Sequence, residues 1–212
     1  MFRSNDEMVD DLVARGVLRT PEIIAAFRAV DRARFVPPAL RSQAYEDYAL
    51  PVAAGQTISQ PLIVAAMTEA LEARSGDRVL DVGTGTGYQA ALLSEIVGKR
   101  GRVFGVERLK ELLDYASQRL IRYKNVDLRL GDGSLGWKEK APFDRVVIAA
   151  AAPRLPQPVV EQTKVGGVIV APVEGMLWLE LAVFRKTSKG FDRKALMPVV
   201  FVPLVGEHGY RE

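Results

Sequence analysis

Short apolar segments alternate with helix-forming segments through the middle of the chain, and this alternation restricts the fold more than any other feature. The predicted strands are Arg78–Val82, Val103–Glu107, Val126–Leu130, Phe143–Ala149 and Val168–Val173. The fourth of these is almost wholly apolar, as expected for a parallel strand that is covered on both faces. Strands that alternate with helices predict an α/β fold with a doubly wound, mostly parallel sheet.

The segments around these strands complete the predicted architecture. Helices are predicted from Tyr88 to about Val97, from about Leu109 to Arg122, over Gln60–Leu71 and over Pro156–Thr163, and a further helix begins at Pro21 with Thr20 as its cap. A final antiparallel pair is predicted over Leu177–Arg185 and Leu196–Leu204. We therefore expect one domain over residues 1–212, in which residues 1–75 form a helical, substrate-side layer and residues 76–212 the cofactor-binding sheet.

Composition excludes several classes of function. The chain contains no cysteine and one histidine, His208, so disulfides, thiolate chemistry and cysteine zinc sites are excluded, and no metal site is predicted. The N-terminus is charged throughout and no run of about eighteen apolar residues occurs, so we expect a cytoplasmic protein without a membrane partner. A net charge of +3 is too small to indicate nucleic-acid binding.

A glycine-rich turn between the first predicted strand and its helix indicates a cofactor site. The segment runs Asp81-Val82-Gly83-Thr84-Gly85-Thr86-Gly87. A dinucleotide turn has the spacing Gly-x-Gly-x-x-Gly, whereas the third glycine here comes one position early. A carboxylate at Asp81 repels a pyrophosphate but suits the ammonium group of a methionine moiety, directly or through water. The turn therefore favours S-adenosylmethionine over NAD, with Gly83, Thr84, Gly85 and Gly87 as cofactor contacts.

Two further acids follow later strands at equivalent positions. Glu107 ends the second strand, about twenty residues beyond the turn, where an acidic side chain accepts hydrogen bonds from ribose hydroxyls. Asp132 and Gly133 follow the third strand, where the carboxylate is placed to accept from the adenine amino group. A solvated strand end and an ordinary Gly-Asp-Gly turn are the structural alternatives for these two sites.

The sequence resembles the protein-L-isoaspartate O-methyltransferase family along nearly its whole length. The matching stretches, in order, are 34–37, 44–45, 50–51, 55–61, 67–69, 80–91, 106–108, 131–133, 136–137, 141–144, 150–153 and 201–204. Gly55-Gln56-Thr57-Ile58-Ser59-Gln60-Pro61 is the most specific of them. The resemblance implies methyl transfer from S-adenosylmethionine, with S-adenosyl-L-homocysteine as product, to the free carboxylate of L-isoaspartyl and D-aspartyl residues. Isoaspartyl-containing proteins and peptides are then the partners.

The resemblance also implies roles for individual residues. Ser59 matches the family's active-site serine, Thr57 and Ile58 lie over the cofactor, and Arg108, next to Glu107 in a matching stretch, is a further cofactor contact. An isoaspartyl carboxylate, with a pKa near 4, is ionised at neutral pH, so methyl transfer needs alignment rather than a general base. We therefore expect Ser59 to orient the carboxylate rather than to attack. A helix cap before Pro61 is the alternative for Ser59.

Several positions depart from the family pattern. Ala149 stands where a threonine is usual, and Ser134-Leu135 stand where an aromatic or small polar residue is more usual. Glu174 to Leu179 stand where the family often has a glycine and later a glutamine. These departures leave the cofactor residues intact but bear on substrate preference. The competing hypotheses are a methyltransferase that acts on another peptide or small acid, a relative that binds the cofactor without turnover, and an NAD oxidoreductase.

Overall fold

The computed structural model describes residues 2–211, so the first and last residues of the predicted domain lie outside the described range. Its helices are α1 Asn5–Ala14, α2 Pro21–Ala29, α3 Pro61–Leu71, α4 Tyr88–Val97, α5 Lys110–Leu120 and α6 Gln157–Gln162. Its strands are β1 Leu50–Pro51, β2 Thr57–Ile58, β3 Arg78–Val82, β4 Arg102–Glu107, β5 Val126–Leu130, β6 Phe143–Ile148, β7 Thr163–Glu174, β8 Leu179–Thr187 and β9 Gly190–Pro198. The predicted α/β fold is confirmed.

Seven of these strands form one sheet in the order β5-β4-β3-β6-β7-β8-β9. The first five in this order are parallel, and the last two add antiparallel neighbours. After β3 the chain passes to β4 on one side and later to β6 on the other. The topological switch point therefore lies at the carboxyl end of β3, where ligands bind in open α/β sheets. The glycine turn occupies this position.

The first three helices form an apolar layer that joins the core of the sheet. Phe27 of α2 and Phe35 pack against Tyr88 at the start of α4, with ring centroids 6.3 and 5.5 Å from the Tyr88 ring. All three side chains are buried. Because aromatic pairs at these separations bury large apolar surfaces, the N-terminal layer is held against the helix that follows the glycine turn.

The end of the sheet differs from the prediction. The last strand begins at Gly190 and ends at Pro198, so the predicted strand over Leu196–Leu204 was wrong for most of its length. Ser188 and Lys189 form a tight turn, and β8 and β9 pair from Thr187 and Gly190 to Glu180 and Pro198, with a shift of register between Leu181 and Ala182. The charged first half of β9 is exposed at the sheet edge, so it lacks the apolar pattern on which the prediction depended.

The start of α2 also differs in detail. Thr20 precedes the helix as predicted, but its side chain makes no capping hydrogen bond. Its hydroxyl instead donates to Glu69 Oε2 of α3 at 2.8 Å.

Among residues 2–211, no helix combines the length and apolar character that crossing a membrane requires.

Candidate active site

The turn at the end of β3 has three positions whose backbone conformation requires glycine. Gly83, Gly85 and Gly87 have φ values of 78°, 56° and 91°, in the left-handed region that other residues avoid. At Gly87 a Cβ atom would also lie 2.9 Å from Leu120 Cδ1 of α5. The early third glycine therefore serves two purposes, because it turns the chain into α4 and lets α5 pack against the turn.

Glu107 connects this turn to the next strand. Its carboxylate is buried and accepts hydrogen bonds from the Gly85 N–H at 2.9 Å and from the Leu109 N–H at 3.0 Å. A carboxylate oxygen has two lone pairs, so each oxygen can still accept a hydrogen bond from a ligand hydroxyl. The predicted ribose acceptor thus lies directly beside the turn.

Asp81 is the most unusual polar group of the site. Its carboxylate is fully buried, and neither oxygen has a hydrogen-bond partner among the described residues. The buried Thr84 hydroxyl contacts the carbonyl oxygen of Asp81 at 3.2 Å. Burial raises the pKa of Asp81 to about 7, and the nearby Glu107 carboxylate acts in the same direction. A buried carboxyl without a partner fits a site that receives a cationic group from a ligand.

A cavity that we call the inner cavity lies over the turn. Gly83, Gly85, Glu107, Arg108 and Gly133 line it from the sheet side. Thr57 lines it from β2, and Val202 to Val205 line it from the C-terminal segment. The structure therefore brings six predicted cofactor residues together around one space.

A second space, the outer cavity, adjoins the first and has a volume of about 700 Å³. Ser59 lines the outer cavity, and Thr57, Ala149 and Val202 line both cavities. The inner cavity meets the glycine turn, and the outer cavity opens beside Ser59. Two ligands that occupied these cavities would therefore meet at Thr57 and Ala149.

The segment that carries Ser59 is shaped by a small hairpin. Pairing of Leu50 with Ile58 and of Pro51 with Thr57 holds β2 against β1. Successive side chains of a strand point to opposite faces, so Ile58 is buried in the core while Thr57 is exposed toward the cavities. The helix-cap alternative for Ser59 was wrong, because Gln60 is the N-cap residue of α3 and makes no side-chain capping bond.

Asp132 lies beyond the inner cavity's lining. Its two carboxylate oxygens accept the N–H groups of Ser134 and Glu207, each at 2.8 Å. The neighbouring Ser134 hydroxyl accepts the His208 N–H at 3.0 Å. Asp132 thereby holds the C-terminal segment against the end of β5, and Gly133 alone of this turn lines the inner cavity.

The structure adds lining residues that the sequence did not assign to the site. Leu109 and Leu112 of the segment after β4, Ala149 after β6, and Val202 to Val205 all line the inner cavity. Apolar residues soon after Glu107 were a local signal for the first two. The C-terminal segment had no local signal, since bonds from Ala151 N to Val202 O at 2.8 Å and from Leu204 N to Ala151 O at 2.7 Å set its position.

A further cavity lies outside the inner and outer cavities. It has a volume of about 650 Å³, is lined by Pro153 to Gln157 and Glu207 to Gly209, and contains none of the predicted site residues. Within residues 2–211, no group of three or more histidine, cysteine, aspartate or glutamate side chains is arranged to hold a metal ion.

The doubly wound sheet, the glycine turn at its switch point and the acid at the end of the next strand define the class of S-adenosylmethionine-dependent methyltransferases. The chain belongs to the protein-L-isoaspartate(D-aspartate) O-methyltransferase family, whose family model matches residues 3–209.

Relatives and solved structures agree with this assignment. The protein-L-isoaspartate O-methyltransferase of Ignicoccus hospitalis is 47% identical over 210 residues, which cover 98% of this chain and 100% of the relative. A solved protein-L-isoaspartate O-methyltransferase superposes with a TM-score of 0.87 at 28% identity, covering 97% of this chain and 67% of that one. A Plasmodium falciparum structure assigned to the same enzymes, in complex with S-adenosyl-L-homocysteine, superposes with a TM-score of 0.86 at 24% identity, covering 96% and 99%. The last likeness supports the fold.

Proposed function

We propose that this protein transfers a methyl group from S-adenosylmethionine to the free carboxylate of L-isoaspartyl and D-aspartyl residues in damaged proteins and peptides. The observation that carries the proposal is the meeting of the two cavities at Thr57 and Ala149. One cavity contains the glycine turn and Glu107, and the other contains Ser59. Cofactor and carboxylate can therefore approach from separate sides, as an in-line displacement requires.

Residues that line the inner cavity or lie next to it fit the cofactor that this reaction needs. We propose that Asp81 receives the ammonium group of the methionine moiety, directly or through water, and that Glu107 accepts the ribose hydroxyls. Asp132 is our candidate for the adenine amino group, because each of its engaged oxygens keeps a second lone pair. Glycine is needed at position 133 for packing, since a Cβ atom there would lie 2.6 Å from Val82 Cγ1, and Gly133 itself lines the inner cavity.

The chemistry assigns positioning rather than proton transfer to the protein. When bound, S-adenosylmethionine supplies a methyl group on a sulfonium sulfur, and that sulfur leaves readily as a neutral thioether. The isoaspartyl carboxylate is ionised at neutral pH, so no general base is required. We propose that Ser59 orients this carboxylate from the outer cavity and that Val202 to Val205 exclude water from the inner one. The product methyl ester closes to a succinimide with loss of methanol, and hydrolysis of the succinimide returns part of the damage to aspartate.

The decisive experiment measures methylation of matched peptides with radiolabelled cofactor. An isoaspartyl peptide should be labelled, whereas the same sequence with a normal aspartyl residue should not be, because the two differ only in the backbone position of the carboxylate. Equal labelling of both peptides would favour the competing hypothesis of a carboxyl methyltransferase with another acceptor. Cofactor binding without labelling of either peptide would favour a relative with little turnover.

The arrangement of the chain around these cavities supports a further part of the proposal. We infer that residues 1–75 and 76–212 act as one domain, in which the N-terminal layer supplies the substrate side. The packing of Phe27 and Phe35 against Tyr88 supports this inference. A cytoplasmic location and the lack of nucleic-acid and membrane partners stay predictions from the sequence.

A further inference from the structure

An exposed apolar cluster stands at the rim of the outer cavity. Met176, Leu177 and Trp178, in the loop between β7 and β8, are 98%, 78% and 60% exposed, and Val200 after β9 is 96% exposed. We call these four residues the apolar rim. Single exposed apolar residues are common, whereas a contiguous exposed apolar group marks a binding surface, because covering it with a partner removes apolar area from water.

The fold of the loop does not explain the residues at its tip. Glu174 pairs with Leu179, and the Gly175 N–H donates to the Trp178 carbonyl at 2.9 Å, so Met176 and Leu177 form the tip of a tight hairpin. Such tips usually carry glycine, asparagine or aspartate, whose backbone preferences suit the turn. Two large apolar side chains at this tip neither pack into the core nor serve the turn.

The rim is continuous with the proposed acceptor site. Trp178 and Val200 line the outer cavity together with Ser59 and Thr57. Val199 N donates to Leu179 O at 3.0 Å, which places the two parts of the rim side by side. The cavity's lining residues include no charged side chain, and its volume of about 700 Å³ lies within the range of sites that bind extended ligands.

We propose that the apolar rim binds an apolar side chain next to the isoaspartyl residue, so that the protein selects damaged sites with apolar neighbours. This inference rests on the proposed function, because it takes the isoaspartyl carboxylate to lie at Ser59. Charged neighbours are disfavoured in the outer cavity, since its lining offers no charged partner for a group that loses its water.

The first experiment compares isoaspartyl peptides that carry a single leucine or a single serine at each neighbouring position in turn. At one or more positions, leucine should raise kcat/KM about fivefold over serine, as expected from partial burial of one leucine side chain. In Trp178→Ser this leucine-to-serine ratio should fall toward one. Ile121→Ser is the matched control, because Ile121 is a similarly exposed apolar residue, with 72% of its surface accessible. It lies at the end of α5, next to the sheet edge opposite β9 and away from the rim. Its ratio should equal that of the unchanged protein.

A second experiment uses Trp178 itself and does not depend on the stability of the serine variant. The chain has two tryptophans, and Trp137→Phe leaves Trp178 as the single indole reporter. With S-adenosyl-L-homocysteine present to prevent turnover, the leucine peptide should shift the emission of Trp178 to shorter wavelength and protect it from acrylamide quenching. When the same fraction of the protein has bound the serine peptide, the emission wavelength and the acrylamide quenching of Trp178 should both be unchanged.

The outcomes separate this inference from the proposed function. Labelling of isoaspartyl peptides with no leucine preference at any position, and with no change in Trp178 emission, overturns the inference and leaves the proposed function intact. No labelling of any isoaspartyl peptide overturns the proposed function first. If the rim instead joins two copies of the chain, the mass measured by sedimentation falls in Trp178→Ser and the leucine-to-serine ratio is unchanged, which also overturns the inference.

Discussion

At the scale of single residues, Ser59 is the strongest candidate for orienting the substrate. It lines the outer cavity and does not cap α3, so no structural duty competes with that role. A hydrogen bond to a charged group contributes about 1.5–3 kcal/mol, so Ser59→Ala should lower kcat/KM about 10- to 100-fold. Binding of S-adenosyl-L-homocysteine, measured by calorimetry, should stay close to that of the unchanged protein.

The matched control for this substitution is Ser117→Ala. Ser117 lies on α5, where its hydroxyl bonds to the Leu113 carbonyl at 2.6 Å. Both its activity and its cofactor affinity should be unchanged. If Ser59→Ala lost cofactor affinity in parallel with activity, the assignment of Ser59 to the substrate would be wrong.

Asp81 predicts a specific dependence of stability on pH. Burial raises its pKa to about 7 in the folded protein, while an unfolded chain releases the same proton near the ordinary aspartate pKa of 3.8. Between these two pH values the folded state binds more protons, so its stability decreases as pH rises through this window. Asp81→Asn removes this titration. Without cofactor, the unfolding free energy of the variant relative to the unchanged protein should rise by up to about 4 kcal/mol between pH 4 and pH 8.

Urea unfolding at a series of pH values measures this difference directly. A difference between the two proteins that is constant with pH would contradict the raised pKa.

Asp81 also predicts proton release when a ligand's ammonium group binds, because the pairing stabilises the charged carboxylate. Calorimetry of S-adenosyl-L-homocysteine binding near pH 6 in buffers of different ionisation enthalpy should detect this proton in the unchanged protein and not in the asparagine variant.

At the scale of structural elements, Glu69 of α3 holds the beginning of α2. Its carboxylate accepts the Arg19 and Thr20 N–H groups at 2.7 and 2.9 Å and the Thr20 hydroxyl at 2.8 Å. The bond from the Thr20 N–H satisfies one of the backbone donors that a helix leaves free at its start, and the other two fix the chain that enters α2. Glu69→Ala should therefore lower the unfolding free energy by about 1–3 kcal/mol, which a shift in the urea midpoint would reveal.

Glu95→Ala is the control for this prediction at the level of elements. Glu95 is exposed on α4, where losing a surface carboxylate should change stability by less than about 0.5 kcal/mol. Equal midpoints for the two variants would mean that Glu69 does not stabilise the contact between α2 and α3.

At the scale of the whole molecule, cofactor binding should stabilise the fold, because the inner cavity joins the glycine turn, Thr57 of β2 and the C-terminal segment. S-adenosyl-L-homocysteine at about 100 times its Kd should add about 2.7 kcal/mol to the unfolding free energy. For a chain of this length, that corresponds to an increase in Tm of roughly 5–10 °C. A thermal melt with and without the ligand measures it.

NAD is the comparison ligand for that melt. The early third glycine and Asp81 disfavour a pyrophosphate, so NAD should leave Tm unchanged. An increase with NAD as large as that with S-adenosyl-L-homocysteine would restore the oxidoreductase hypothesis.

Much of the fold could be predicted from the sequence alone, because the signals that define these helices and strands lie within short stretches of the chain. The bounds of β3, β5 and α4 agree with those predicted, because apolar runs and glycines that require positive φ act within a few residues of chain. The last strand was misplaced because its exposed edge carries charge instead of an apolar pattern. The positions of the three candidate acids, at or just beyond the carboxyl ends of β3, β4 and β5, could likewise be predicted from the alternation, whereas their cofactor roles stay predictions.

The chain's own sequence thus determined the sheet, the glycine turn and the order of the acids along it. Only the tertiary structure decided which residues share a cavity. It placed Thr57 and Ala149 between the two cavities and brought Val202 to Val205 into the lining of the inner cavity. It also placed Asp132 outside that lining, where its carboxylate accepts a hydrogen bond from the C-terminal segment. Local propensity acts between neighbours in sequence, whereas these contacts join distant segments and arise from packing of the complete core.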